Sequence, residues 1–349
     1  MIKVFDFFSG CGGTSLGFAE AGMDVVFGLD NDPDAAATFR TNIKSALFVE
    51  KDIRKVQTSA LTPLLKKRKC PVLFSCCAPC QPFSKQSRAK TDGDPRRSLL
   101  AEFGRFVKRW KPDYIFLENV PGLQHVDDDD GPLPQFIALV RKLNYNFDMK
   151  VLPALSFGVP QKRERLILMA SKRVGLKIPS PTHGTAKRRV ATVRDWIESL
   201  PAIEAGGVDP RDPDHRAANL SKMNLKRIAA TPEGGGREAW PKALLLDCHK
   251  KFEGHTDVYG RLAWDRPAAG LTTRCISYSN GRFGHPVQNR AISIREAACL
   301  QTFPRRYRFV GSYESKARQV GNAVPPLMAK VIGKVYVTHA AGQGRDEDV

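Results

Sequence analysis

No apolar run in this 349-residue chain approaches the roughly 18 residues that a membrane-crossing helix needs. The first residues also lack the apolar core of a secretion signal. Cysteine is too sparse for a disulfide scaffold, at eight residues in all. Cys77 and Cys80 form a C-x-x-C, but no second such pair and no H-x-x-x-H accompanies them, so no metal site is expected. Acidic residues are the other shortage: Asp and Glu total 36 against 55 Lys and Arg, a net charge of +19. Hydrophobic residues at 42% and charged residues at 26% exclude a disordered or collagen-like chain. A reducing, cytoplasmic setting is expected, with free thiols and no membrane. The positive excess points to a polyanion, nucleic acid before an acidic membrane surface.

Residues 1–175 alternate short apolar runs (2–7, 24–29, 47–49, 72–75, 114–117) with helix-like stretches (14–21, 34–42, 59–67, 97–110, 133–143). Two more strands are expected at 146–152 and 166–171. Alternating strands and helices predict a doubly wound, mostly parallel α/β sheet covered on both faces. From about Pro179 the periodicity dissolves among Gly, Pro and Asp clusters, and it returns at 292–300 and at 322–338, the second a long helical pattern. The chain therefore reads as a catalytic domain over 1–175, a smaller irregular domain over 176–317, and a C-terminal helix over 318–345 that returns to the first. Net charge is +6 over residues 181–290 and +13 over the remaining 239, an equal density that does not say which part faces the polyanion. The four acids at 127–130 read as a solvated loop, and the basic run 66–69 as a complement to a helix dipole.

The first strand runs into Asp6-Phe7-Phe8-Ser9-Gly10-Cys11-Gly12-Gly13, a turn that opens a helix. Glycines let the backbone approach a ligand, and a helix N-terminus offers free N–H groups. The full G-x-G-x-x-G is absent. Asp30, at the end of the second strand and followed by Asn31, suits the two hydroxyls of a ribose. Asp52, followed by Ile53, suits an adenine amino group. A nucleoside without pyrophosphate fits best, which makes S-adenosylmethionine the candidate cofactor, NAD the second, and a ligand-free tight turn the third reading.

Cys76-Cys77-Ala78-Pro79-Cys80-Gln81-Pro82-Phe83-Ser84 follows the fourth strand. Cys80 lies between two prolines at the carboxyl end of a parallel strand, where open α/β sheets bind their ligands. A thiolate is a strong nucleophile even as a minor species. Glu118-Asn119-Val120 ends the next strand and brings a carboxyl group to the same sheet edge. A thiol and an acid beside an adenosyl cofactor suit one-carbon transfer to an electron-poor ring.

Six stretches, in order, resemble the DNA (cytosine-5) methyltransferases. They are Phe5–Gly13, Pro79-Cys80-Gln81-Pro82-Phe83-Ser84, Glu118-Asn119-Val120, Gln161-Lys162-Arg163-Glu164-Arg165, Arg295-Glu296-Ala297-Ala298 with Leu300-Gln301-Thr302-Phe303-Pro304, and Gln319-Val320-Gly321-Asn322-Ala323-Val324-Pro325. The sequence departs from the family pattern at Cys77, where a glycine is usual. The resemblance implies the methyltransferase fold with a target-recognition domain over 176–317, and methyl transfer to C5 of a cytosine flipped out of duplex DNA. It implies Cys80 as the nucleophile toward C6, with Glu118 at N3 and the exocyclic amine. Arg163 and Arg165, alternating on a strand-like stretch, would share one face beside the base and its phosphates.

By the same resemblance the cofactor contacts are Asp6, Phe8, Gly10, Gly12, Gly13, Asp30, Asn31, Asp52, Ile53, Pro79, Asn322 and Val324. The DNA contacts are Pro79, Gln81, Ser84, Asn119, Gln161 and Arg274, with residues 272–274 and 281–286 closing the recognition domain against DNA. His249 and His255 beside Cys248 read as packing residues. The expected protein is a monomeric, stand-alone prokaryotic enzyme at the nucleoid, with double-stranded DNA as partner and, within a restriction-modification pair, a cognate endonuclease. A tRNA cytosine-5 methyltransferase is the second reading, and roughly 110 irregular residues before Ile292 favour DNA over it. A non-catalytic cytosine-binding module is the third, opposed by the presence of both Cys80 and Glu118.

Overall fold

The computed structural model describes residues 1–66, 68–78, 98–121, 131–247 and 257–342. Cys80, Pro79, Gln81 and Ser84 lie outside these residues, as do the acidic run, Cys248, His249 and His255. The chain divides into two compact units: Met1–Pro153 with Glu164–Ser180 and Val324–Val349, and Ala154–Arg163 with Pro181–Ala323. The sequence placed its boundaries after residues 175 and 317 and did not assign 154–163 to the second unit.

In the first unit the elements run β1 (Lys3–Phe7), α1 (Gly13–Glu20), β2 (Asp24–Asp30), α2 (Pro33–Asn42), β3 (Leu47–Glu50), α3 (Thr62–Leu65), β4 (Val72–Cys76), α4 (Leu99–Trp110), β5 (Tyr114–Asn119), α5 (Pro132–Lys142) and β6 (Asn146–Pro153). β8 (Glu164–Ser171) and the C-terminal helix Pro326–Gly342 complete it. Seven strands form one sheet in the order β3-β2-β1-β4-β5-β8-β6. β1 to β5 pair in parallel, and β8 runs antiparallel to both of its neighbours. β4 and β5 are buried along their whole length, which is why they read as unbroken apolar runs. Phe5, Phe7, Phe27 and Phe74 pack as tilted pairs between the strands, and Phe7 meets Phe103 edge-on and Phe106 of α4.

Local chemistry sets the helix starts. Asp32 caps α2 by accepting the N–H groups of Asp34 and Ala35, with Pro33 at the first helical position. α1 begins at Gly12, whose φ of 89° favours glycine. The expected helix at 59–67 is a 3-10 turn over Thr58–Leu61 followed by the single turn α3. The long helix expected at 322–338 starts at Pro326 and runs to Gly342, a separate helix ending at Asn322, because Pro325 and Pro326 disfavour helical backbone at the residue before each of them.

The second unit contains β7 (Gln161–Lys162), α6 (Arg194–Ile197), β9 (Val208–Asp209), β10 (Asp212–Arg216), α7 (Lys222–Ala229), β11 (Ala268–Ala269), α8 (Ile294–Leu300) and α9 (Tyr313–Asn322). Here α10 denotes the helix Pro326–Gly342 of the first unit. β9 and β10 form an antiparallel pair, and β7 pairs in parallel with β11. Leu220, Ile228, Trp240, Tyr278 and Ala291 form one apolar cluster, and Phe303, Tyr307 and Phe309 pack against one another. Buried arginines add to this cohesion. Arg261 donates to the carbonyls of Ile228, Thr231, His285 and Gln288. Arg290 grips Glu296 at 2.7 and 2.8 Å, and Glu296 closes a capping box with Ser293 at the start of α8. Burial pushes the His285 imidazole down to about 4.

The expectation that 281–286 faces DNA does not hold for its core. Phe283 and His285 are buried, and Arg282 donates to the carbonyls of Gly234 and Gly235.

Candidate active site

β1 lies between β2 and β4, so the strand order turns at this point and the carboxyl ends of β1 and β4 open a crevice. The register pairs Phe7 with Cys76 at this edge. Beyond β1 the backbone winds through three left-handed residues, Phe8, Gly10 and Gly12, at φ 56°, 51° and 89°. Phe8 is the non-glycine among them, a strained conformation of the kind that collects at ligand sites. Among the described residues, a Cβ at Gly10 would meet no atom within 4 Å, so the turn borders space that those residues leave open. Gly10 N–H donates to Asp30 Oδ2 at 2.8 Å and Asp32 N–H to Asp30 Oδ1 at 3.0 Å. Burial raises the Asp30 carboxyl above its ordinary range. The Asn31 backbone N–H also acts on this carboxylate, so three amides leave about one of its roughly four acceptor positions for a ribose hydroxyl. Asn31 is exposed, and Gly13 and Ile53 are buried.

Asp6 does not face a ligand. It is fully buried and accepts the hydroxyls of Ser15 on α1 at 2.6 Å and Ser75 on β4 at 2.8 Å. Burial lifts it from 3.8 to about 6. Its carboxylate ties the first turn of α1 to β4 and so holds the glycine turn from behind. Asp52 is also otherwise engaged. It caps a 3-10 turn through Arg54 N–H and takes the Arg54 guanidinium at 2.9 Å, which holds its carboxyl below the usual range. An adenine amino group would have to displace that arginine.

At the end of β5, Glu118 is only 7% exposed and accepts Arg165 Nε at 2.7 Å. Arg165 sits at the start of β8, where the antiparallel register sets Leu166 opposite Asn119. Asn119 is buried, donates to the Ala78 carbonyl at 3.4 Å and accepts Val120 N–H at 2.7 Å. This ties the end of β5 to the last described residue before Pro79-Cys80. Cys77 shares a 3.4 Å hydrogen bond with Thr14, and its thiol is pushed well above its usual range, chiefly by burial and then by Glu118 and Asp6.

The two arginines of the Gln161–Arg165 stretch do not share a strand. Arg163 falls between β7 and β8 and belongs to the second unit, where its Nη1 donates to the carbonyls of Leu271 at 2.9 Å and Gly321 at 3.0 Å. Gln161, expected against substrate, has no exposed surface. Its amide donates to Leu300 O and Gln301 Oε1, and its oxygen accepts Leu271 N–H. Gln301, a motif residue given no role from sequence, donates in turn to the Ala323 carbonyl. Arg274 and Asn322 are exposed, and Val324 is buried in the first unit. The Arg165–Glu118 pairing and the two serines on Asp6 carry no signal in sequence spacing.

Among the described residues, no group of three or more His, Cys, Asp or Glu is placed to hold a metal ion. None of the helices there is long and apolar enough to cross a membrane. The family model of C-5 cytosine-specific DNA methylases matches residues 2–338. A Type II methylase of Herpetosiphon aurantiacus, M.HgiDII, is 40% identical over 95% of this chain and 94% of its own length. Type II methyltransferase M1.HphI of Haemophilus parahaemolyticus is 33% identical over 96% of this chain and 87% of its own. Among solved structures, a putative DNA modification methyltransferase from an E. coli prophage superposes with a TM-score of 0.75 at 25% identity, covering 97% of this chain and 99% of its own. The S. pombe Dnmt2 methyltransferase, at TM-score 0.65 and 17% identity over 97% of this chain and 99% of its own, shares the fold. With its motifs in family order and a family match across nearly its whole length, the chain belongs to the C-5 cytosine-specific DNA methylases.

Proposed function

We propose that this methylase acts on a cytosine flipped out of a specific duplex DNA sequence, with Cys80 as the nucleophile and Glu118 as the acid that meets the ring. The observation that carries the reading is the placement of Glu118. It sits buried at the carboxyl end of β5, fixed by Arg165, and its neighbour Asn119 holds the Ala78 carbonyl two residues before Cys80. A thiolate adding to C6 places negative charge on the ring, and a proton held by Glu118 at N3 neutralises it as it develops. Arg165 keeps that carboxyl group in one orientation. Once C5 has taken up the methyl group and given its proton to a base, expulsion of Cys80 as the thiolate and return of the N3 proton to Glu118 restore the aromatic ring. A stacked duplex hides C6, so extrusion of the base precedes addition.

The crevice fits S-adenosylmethionine. The space that the described residues leave at Gly10 and the half-buried Asp30 and Phe8 give a surface for a nucleoside without a pyrophosphate site. Gly10, Gly12, Asp30 and Phe8 would hold it, and when bound it supplies an electrophilic methyl group. Val324 is a further contact on this reading, and the exposed Arg274 meets DNA. Similarity to Type II methylases supports pairing with a cognate restriction endonuclease, and duplex DNA as substrate supports action in the cytoplasm at the nucleoid.

The test is methylation of mixed-sequence duplex DNA by purified protein and mapping of the 5-methylcytosine formed, with an RNA stem-loop in parallel. A duplex with 5-fluorocytosine at the mapped position should trap the protein through Cys80, and Cys80→Ser should abolish both trapping and turnover. Transfer to RNA alone, or a trapped base mapped to Cys76 or Cys77, overturns the reading.

A further inference from the structure

Cations gather at the amino edge of the sheet, opposite the crevice. β4 starts at Val72 and β5 at Tyr114, and the antiparallel β8 ends beside them at Ser171, opposite Tyr114 in the register. Next to these strand ends stand Arg68, Lys69, Lys111 and Lys172, all exposed. Asp113 is the acid that faces them. Its carboxylate accepts Val72 N–H at 2.9 Å and lies 3.8 Å from Arg68 Nη1. Lys172 Nζ donates to the Lys111 carbonyl at 2.8 Å and stands 5.8 Å from the centre of the Tyr145 ring. Partial desolvation lowers the Lys172 ammonium, Asp113 opposes this, and Arg68 and Lys111 lower it further. Cations crowded in this way repel one another, and a bound anion relieves them.

Helix dipoles explain part of this charge. α4 and α5 carry basic residues in their last turns, Lys108 and Lys142 among them, as the dipole favours. α3, however, is a single turn that ends at Leu65 with no basic residue in it. The expectation that the basic run 66–69 complements a helix dipole therefore fails for Arg68 and Lys69. Lys172 follows a strand. Lys111 occupies the left-handed cap of α4 at φ 43°, where glycine or asparagine is ordinary.

We propose that this edge is a second docking surface for DNA, one that holds the phosphate backbone of a segment other than the one that supplies the target base. The proposal rests on the reading that the crevice takes that base. β5 spans six residues and is buried throughout, so the cations lie roughly 15–20 Å from Glu118 at its far end. With the packed sheet in between, one straight duplex does not meet both. β4, β5 and β8 are neighbours in the sheet and strands lie about 4.8 Å apart, which spreads the cations over on the order of 10 Å. That is the axial length of about three phosphates on one DNA strand. Contacts to phosphate carry no sequence information, and they keep an enzyme on DNA between its sites. Val174 is exposed beside the patch, but one valine anchors weakly in a lipid surface.

The measurement is binding of a cytosine-free A·T duplex, followed by fluorescence anisotropy over a series of KCl concentrations. The parent is compared with Arg68→Gln, Lys108→Gln and Lys172→Gln combined. Each lost phosphate contact lowers the slope of log Kobs against log salt by about 0.9, so this variant should lose about 2 to 3 from the slope. Lys44→Gln, Lys150→Gln and Lys334→Gln together remove the same charge from exposed positions elsewhere in the first unit, and should keep the parent's slope. An unchanged slope in the patch variant overturns the proposal, and so do equal losses in both variants, which report net charge alone. Should the patch variant fail to fold, Lys108→Gln with Lys142→Gln should lose about 1 to 2 from the slope, and no loss again refutes the surface. Phosphatidylserine vesicles are the rival probe. A parent that binds them more tightly than the duplex, with that binding lost in the patch variant, assigns the surface to lipid and overturns the proposal. Methyl transfer to a short duplex should run equally in the parent and the patch variant. Absence of transfer in both defeats the reading of the crevice, while the slopes still decide this surface.

Discussion

Replacing Asp6 by Asn tests whether this motif acid holds the site or touches the ligand. The carboxyl group is fully buried, with Ser15 and Ser75 donating to it, and burial raises it from 3.8 to about 6. In the pH interval between those values the folded protein holds a proton there that the unfolded chain has released. Stability therefore falls as pH rises through this interval, and the full cost is present above about 6. A shift of that size corresponds to about 3 kcal/mol. In a protein of this length that is roughly 4 °C in unfolding temperature.

Asn carries no such charge, and its amide can accept one serine hydroxyl and donate to the other, so its own contribution does not vary with pH and its offset from the protonated parent is about 1 kcal/mol or less. The assay is urea unfolding of parent and Asp6→Asn at half-unit steps from pH 4.5 to 7.5. The difference should swing in favour of the variant as pH rises and level off above about 6. S-adenosylhomocysteine affinity should stay close to that of the parent, because Asp6 faces two serines rather than the crevice. A difference that is flat across the range, or a variant that folds normally but no longer binds S-adenosylhomocysteine, refutes the reasoning.

Arg165→Met leaves Glu118 buried without its cation and should cost about 3–5 kcal/mol in urea unfolding, and Arg165→Met with Glu118→Gln should cost clearly less than the two single changes added. Gly10→Ala meets open space but must adopt φ 51°, so stability should drop by only about 1–2 kcal/mol while S-adenosylhomocysteine affinity falls much further as the methyl group enters the crevice. Gly17→Ala places a Cβ 2.3 Å from the Pro326 carbonyl, and forcing α1 away from α10 should cost about 1–3 kcal/mol in unfolding measurements.

The parallel sheet of the first unit was legible because buried strands cannot hide their composition. β4 and β5 are apolar at nearly every position, and the acids that end β2 and β5 stand out against those runs. The placement of Asp30 and Glu118 at the sheet edge follows from the same logic. What the motifs could not reveal is which of their residues face a ligand and which hold the ones that do. Asp6, Gln161 and Arg163 all sit in motif stretches beside residues of the site, yet each spends its polar atoms on neighbours within the protein. Spacing reports that a residue is near the chemistry, while only burial and partners tell its direction. The alternation of Arg163 and Arg165 misled for a related reason, since the chain crosses from one compact unit to the other between Arg163 and Glu164 and the strand period does not continue through that crossing.

The second unit was illegible for a different physical reason, and it bears on how the net charge should be read. Where arginines as well as short apolar contacts tie loops together, no period of 2 or 3.6 runs through the sequence. Arg261 spends its donors on backbone carbonyls, and Arg290 is neutralised by Glu296, which lies outside the 181–290 stretch. Both count toward the formal +6 of that stretch, and neither can meet a phosphate. The cations that remain available there are exposed side chains such as Lys222, Lys226 and Arg274. Counterion release scales with phosphates neutralised at the surface. On the reading that this unit meets DNA, the salt dependence of binding should therefore follow these exposed side chains and not the formal charge of the chain.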